Sequence, residues 1–160
     1  MCGGIACAPA LSSETTSMSE DNDELSIPIE SESDLNHARM FARETCKLVE
    51  LRGYKAQKVV TAVSELARNI ARYSDGGELR FRVDPEAERV VVVAADRGPG
   101  ISNLDEILSG NYRSRTGLGR GLLGSRDLAD HFSIETNPDG TTVTIAFNYG
   151  QRKPWTTSTT

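Results

Sequence analysis

Three short groups of residues have types and spacings that suit phosphate chemistry. Glu65 and Asn69 stand one turn apart in Glu65-Leu66-Ala67-Arg68-Asn69, a stretch of helical periodicity. At about 100° per residue that spacing turns a carboxylate and an amide toward the same space. An amide oxygen suits a hard cation such as Mg²⁺, which keeps several waters and also takes phosphate oxygens. Asn69 is therefore the candidate metal ligand. Glu65 is the candidate base, placed to accept a proton from a nucleophile beside the phosphate. Arg72 and Tyr73 share this flank, and Arg72 is a candidate countercharge for nucleotide phosphates.

Asp96 ends an apolar run and opens Asp96-Arg97-Gly98-Pro99-Gly100-Ile101. A carboxylate there can accept a hydrogen bond from the exocyclic amine of adenine, where guanine presents a carbonyl. Gly98 and Gly100 allow backbone to approach a flat ring, with Ile101 beside it. The third group is Gly117-Leu118-Gly119-Arg120-Gly121-Leu122-Leu123-Gly124, leading into a helix. Successive backbone N–H groups at a helix start cradle anions. Arg113, Arg115 and Arg120 add positive charge. No Gly-Lys-Ser or Gly-Lys-Thr follows, so this is not a Walker A loop. The run also comes too late in the chain for a dinucleotide fingerprint, which follows a first strand directly. Each group has a plain alternative: a solvated helix flank, a turn after a strand, a flexible loop. In this order they are the parts of an ATP site.

The elements that must position them follow from periodicity. Leu25–Ile29 alternates as a first strand, and Pro28 assigns it to an edge. A helix capped by Ser33 or Asp34 is expected to run to about Leu51, with Leu35, Ala38, Phe41, Ala42, Thr45 and Leu48-Val49 buried and Gly53 ending it. A second helix is expected from about Gln57 to Ser74, with Val59, Val63, Leu66 and Ile70 as its buried stripe. Glu78–Val83 and Arg89–Ala95 read as strands, the latter apolar on both faces. Residues 101–120 show no clean period and read as a lid. Gly121–Ala129 fits a helix. Phe132–Thr136 and Thr141–Phe147 fit a hairpin turning at Asn137-Pro138-Asp139-Gly140. The resulting class is α/β: a two-layer sandwich with a mixed sheet covered on one face by helices.

Composition sets the bounds. A chain of 160 residues holds one domain with a core of its own. Residues 1–35 carry eight acidic side chains and no Lys or Arg, while the rest carries a net +3. Residues 1–24 therefore read as a disordered acidic leader, 25–148 as the folded domain, and 149–160 as a flexible tail. A strongly basic field is missing, so nucleic acid is not an expected partner. No apolar run is long enough to span a membrane. Cys2, Cys7 and Cys46 fit no zinc or disulfide framework, so a reducing cytoplasm is the expected location. Cys46 reads as a small core residue. His37 and His131 read as structural or solvent-exposed, and Trp155 lies in the polar tail.

With Glu-x-x-x-Asn, Asp-x-Gly-x-Gly, a late Gly-Leu-Gly-x-Gly and Gly140-Thr141 in this order, the chain resembles the GHKL ATPase superfamily over roughly residues 25–148. Thr61–Ile70 and Gly117–Gly124 look most like the small serine/threonine kinases of bacterial partner-switching systems, the RsbT type. The resemblance implies a Bergerat-type sandwich and ATP with Mg²⁺. It implies metal at Asn69, Glu65 as base or water-orienting residue, adenine at Asp96 with help from Thr141, and a lid closing over the phosphates. It also implies a STAS-domain antagonist as substrate and a PP2C-type phosphatase as a further partner. The alternative is an anti-sigma factor of the RsbW/SpoIIAB type, which holds a sigma factor and phosphorylates its antagonist. A histidine-kinase dimerisation domain and a gyrase-type transducer domain are both missing from the sequence. Arg120 is bulky for its place among the glycines.

Overall fold

The computed structural model describes residues 24–111 and 117–150, and only the backbone of Leu118. Leader residues 1–23, the tail beyond Gly150, Arg113 and Arg115 lie outside the described residues. The elements are β1 (Leu25–Ile29), α1 (Leu35–Leu48), α2 (Gly53–Tyr73), β2 (Gly77–Asp84), β3 (Arg89–Asp96), α3 (Leu104–Leu108), α4 (Leu118–Leu128), β4 (His131–Asn137) and β5 (Gly140–Asn148).

One sheet of order β1-β2-β3-β5-β4 carries helices on one face. Alternation along each strand sends Ile27, Ile29, Leu79, Phe81, Val90, Val92, Val143, Ile145 and Phe147 into the core against Ala38, Ala42, Val59, Val63, Leu66 and Ile70. This is the expected two-layer α/β sandwich. Every ladder is antiparallel, where a mixed sheet was expected. Two helices join β1 to β2, and a second reversal turns the chain antiparallel where one helix would leave it parallel. β3 and β4, joined through the single-turn α3 and the longer α4, do run the same way, but β5 lies between them.

Several boundaries differ from expectation. α1 ends at Leu48, and Glu50 rather than Gly53 takes the left-handed turn that closes it, with φ of 55°. Leu51 N then donates to Cys46 O at 2.8 Å, the backward bond of such a helix end. Leu51 is thereby buried, and Leu48, expected in the core, is 80% exposed. Gly53 opens α2, which starts a turn earlier than its apolar stripe because those first residues are solvated.

At the start of α1, Glu30 N and Ser31 N each donate to Asp34 Oδ2 at 2.9 Å. These bonds hold the Asp34 carboxyl below its ordinary pKa. β2 and β3 are each a residue or more longer than the pattern showed, as are β4 and β5. The expected lid is partly built: Leu104–Leu108 form α3 with Ile107 fully buried, and Gly117 at φ 85° starts α4 three residues before the expected helix. Arg126 Nη1 donates to Leu108 O at 2.7 Å, tying α3 to α4. Tyr149 N donates to Glu88 O at 2.8 Å, which anchors the start of the tail.

Candidate nucleotide site

α2 places the first pair. Val59, Val63, Leu66 and Ile70 are buried as its stripe, which turns Glu65 and Asn69 toward the start of α4. The two helices approach closely because the residues between them are small. Ala62 is fully buried, and Ser125 on α4 donates to Gly121 O at 2.9 Å. Gly121 relieves this approach. A Cβ there would stand 3.0 Å from Glu65 Oε2 and 3.2 Å from Asn69 Oδ1. The glycine thus leaves open the space that the carboxylate and the amide face.

β3 places the second anchor. Asp96 Oδ1 accepts from Gly98 N at 2.8 Å and from Thr141 N at 3.2 Å. Two backbone donors on one oxygen fix the carboxylate plane and leave the other oxygen for a ligand. Gly100, at φ 77°, passes so close to Asn137 that no side chain fits. Ile101 N donates to Thr136 Oγ1 at 2.9 Å, and Thr136 Oγ1 lies 3.0 Å from Thr141 Oγ1.

These elements enclose one cavity. Asn69, Asp96, Gly98, Gly100, Ile101, Leu122 and Thr141 line it, over an apolar floor that includes Leu66, Ile70 and Val143. Its free volume is about 50 Å³, room for a few waters. Glu65 does not line the cavity; it lies beside Asn69 facing Gly121, and Arg68 Nη1 donates to its Oε1.

Gly119 and Gly121 are buried in the first turns of α4 with Leu122, while Gly117 and Arg120 are exposed. Leu118 opens the helix. Arg72 is placed elsewhere: its Nε donates to Glu32 at 2.8 Å, and it does not line the cavity. Glu32 raises the Arg72 pKa, first through that hydrogen bond. Sequence reasoning missed Arg68 and Thr136. Thr136 carried a signal, being a polar residue on the core-facing positions of an alternating strand, directly across from Thr141.

Residues 27–147 match the family model of the histidine kinase-like ATPase domain. The chain belongs to the histidine kinase-like ATPase family. It is 32% identical to the serine/threonine-protein kinase RsbT of Bacillus subtilis over 117 residues, which cover 72% of this chain and 88% of that protein. It is an RsbT-like kinase. Among solved structures, the SiaB–SiaC complex of Pseudomonas aeruginosa matches with a TM-score of 0.56 at 15% identity, over 77% of this chain and 88% of that one. The RsbU and RsbW domains of Rv1364c from Mycobacterium tuberculosis match with a TM-score of 0.54 at 18% identity. That match covers 79% of this chain and 32% of the other. Both likenesses extend the fold assignment.

Among the described residues no cluster of three His, Cys, Asp or Glu could hold a metal by itself. The donor set fits a metal that is shared with a ligand: one amide oxygen, with the space in front of it kept open by Gly121. No described helix is long and apolar enough to cross a membrane.

Proposed function

We propose that this kinase transfers the γ-phosphoryl group of ATP to a serine or threonine of a separate STAS-domain protein in the cytoplasm. The observation that carries the reading is one cavity lined by both Asn69 and Asp96, with Glu65 next to Asn69 where both face Gly121. A purine anchor, a metal ligand and a carboxylate base then serve one nucleotide. Asp96 would hold the adenine amine through its free oxygen while Thr141 fixes the carboxylate. The start of α4, from Gly117 to Leu122, would direct N–H groups at the phosphates.

Asn69 would hold Mg²⁺, which when bound neutralises charge that develops on the phosphates. Glu65 would take the proton of the attacking hydroxyl, and Arg68 holds that carboxylate in place. Kinship with RsbT supports the partner class: a STAS-domain antagonist as substrate, and a PP2C-type phosphatase as the partner activated afterwards.

The test mixes the purified chain with γ-labelled ATP, Mg²⁺ and candidate STAS proteins. Serine or threonine labelling is expected, lost on chelation and in Asn69→Ala. Glu65→Gln is expected to slow transfer by about 10²- to 10⁴-fold, the usual contribution of a positioned base. Equal labelling by Asn69→Ala, or sigma-factor capture with no labelled STAS protein, overturns the reading.

A further inference from the structure

The face of the sheet turned away from the helices carries an organised groove. Register aligns Arg82, Val91, Ala146 and His131 in a single row across β2, β3, β5 and β4. Arg89 and Thr144 complete the walls of a depression of about 210 Å³. Its floor is apolar, with Val91 and Ala146 buried, and its rim is basic. Carboxylates near the depression on this face are Asp84, which is bonded to Arg89 with Oδ2 3.3 Å from Nη2, and Glu135, one strand repeat beyond the lining residue Ser133. Arg82 has no acidic partner within ion-pair distance among the described residues.

The chain enters the fold at the head of this row. Leu25 pairs with Phe81 and Ser26 with Arg80, so alternation puts Glu24 on the outer face beside Arg82. The Glu24 carboxylate already points along that face, 3.8 Å from Arg80 Nη1. Arg80 Nε is buried with no hydrogen-bond acceptor, although Glu78 Oε1 lies 3.3 Å away. Residues 1–23 contain Glu14, Glu20, Asp21 and Asp23 and no Lys or Arg. Reaching the groove takes two to three strand spacings, about 10–15 Å, or roughly five extended residues. The leader is several times longer than that.

We propose that the acidic leader of the same chain docks in this groove, its carboxylates against the unpaired Arg82 and beside Arg89, which keeps its bond to Asp84, and its small apolar residues over Val91 and Ala146. The leader then straps the sheet face opposite the nucleotide site and withholds that face from other acidic partners. The six Ser and Thr between Ser12 and Ser19 lie within the strap, so phosphorylation there would change its charge directly.

The experiment uses the full chain with Cys2→Ser and Cys7→Ser and a nitroxide on Ser17→Cys. Cys46 is 2% exposed, and burial raises its thiol pKa, so it stays unlabelled. Amide signals of Val91, Thr144 and Ala146 are expected to lose more than half their intensity, while those of Val59–Ile70 in α2 keep theirs. Arg82→Glu, with its melting temperature checked, or 0.5 M salt is expected to restore them. Uniform broadening, broadening on the helix face, or none overturns the proposal. So does equal broadening when a labelled chain is mixed with an unlabelled isotope-enriched one, because the occupant is then a second copy. None of these readouts depends on kinase activity, so the leader and the kinase reading fail separately.

Discussion

In the proposed function Asp96 would recognise the purine through one atom. Its Oδ1 is occupied by the Gly98 and Thr141 amides, which leaves Oδ2 for the proposed contact with the base. Asp96→Asn keeps an oxygen for the backbone donors and turns an NH₂ toward the adenine amine. Two donors facing each other leave a buried polar group unpaired, which costs about 1–3 kcal/mol. ATP affinity is therefore expected to fall roughly 5- to 150-fold with little change in melting temperature, as read by calorimetric titration. Retained affinity would move the purine away from Asp96. Gly121 gives a second residue-scale expectation with opposing signs. Alanine in a helix interior is favoured over glycine by about 1 kcal/mol, while its Cβ would press on Glu65 and Asn69 at 3.0 and 3.2 Å. In Gly121→Ala the two terms are expected to leave thermal stability within about 1 kcal/mol and still cost nucleotide affinity and turnover. A variant that binds ATP normally would show that the space above Asn69 is not used. Glu65, Asn69 and Asp96 were legible as candidates because their types and spacing are constrained, and the structure brings Asn69 and Asp96 to one cavity. Arg72 was misplaced because helix phase fixes a flank and not the partner across it; Glu32 comes from a separate segment. Arg68 was missed because its role is to hold Glu65, and an Arg on a helix flank carries no sign of that.

Elements were legible where one face is buried and less so where backbone geometry ends them. The α2 stripe and the β4–β5 hairpin follow directly from period and turn residues. The end of α1 did not, since a non-glycine residue, Glu50, adopts the left-handed conformation that glycine usually takes. The start of α1 rests on a carboxylate whose bonds give a testable acid dependence. Glu30 N–H and then Ser31 N–H hold Asp34 below its ordinary pKa. In the β2–β3 turn the Ala87 N–H does the same to Asp84. A carboxyl depressed in the folded state stabilises the fold above its unfolded pKa of about 4. That contribution is lost as pH falls through the lower folded values. Urea midpoints measured from pH 6 down to pH 2 should therefore fall along an acid limb below about pH 4. Asp34→Asn with Asp84→Asn is expected to lower the midpoint near neutrality and flatten that limb. Parallel curves for the two proteins would show that neither carboxylate is coupled to folding.

At the scale of the whole molecule, the sandwich divides into a well-buried body and a thinner cover. α2 buries eight residues against sheet and helices, whereas α3 buries Ile107 alone. α4 is held through Gly121, Leu122 and Ser125 and through the Arg126 bond to α3. The cavity between body and cover has about 50 Å³, too little for a purine with its sugar. Nucleotide entry is therefore expected to move the cover, described over 101–111 and 117–126, away from α2; α3 opposes this with one buried side chain, whereas α4 is packed on α2 through Gly119, Gly121, Leu122 and Ser125. Hydrogen exchange should show the division directly. In the free protein the amides of 104–108 and 118–126 are expected to exchange well before those of Val59–Ile70. ATP with Mg²⁺ is expected to slow the cover amides by at least about tenfold, because binding energy adds to the cost of opening, while α2 changes little. Arg126→Ala, which cuts the tie to Leu108, should speed cover exchange in the free protein and shorten the residence of bound nucleotide. If cover and α2 exchange together and respond equally to ATP, the site opens only with the whole fold. The ring of motifs around Asn69 and Asp96 would then be a rigid slot that has to widen by another route.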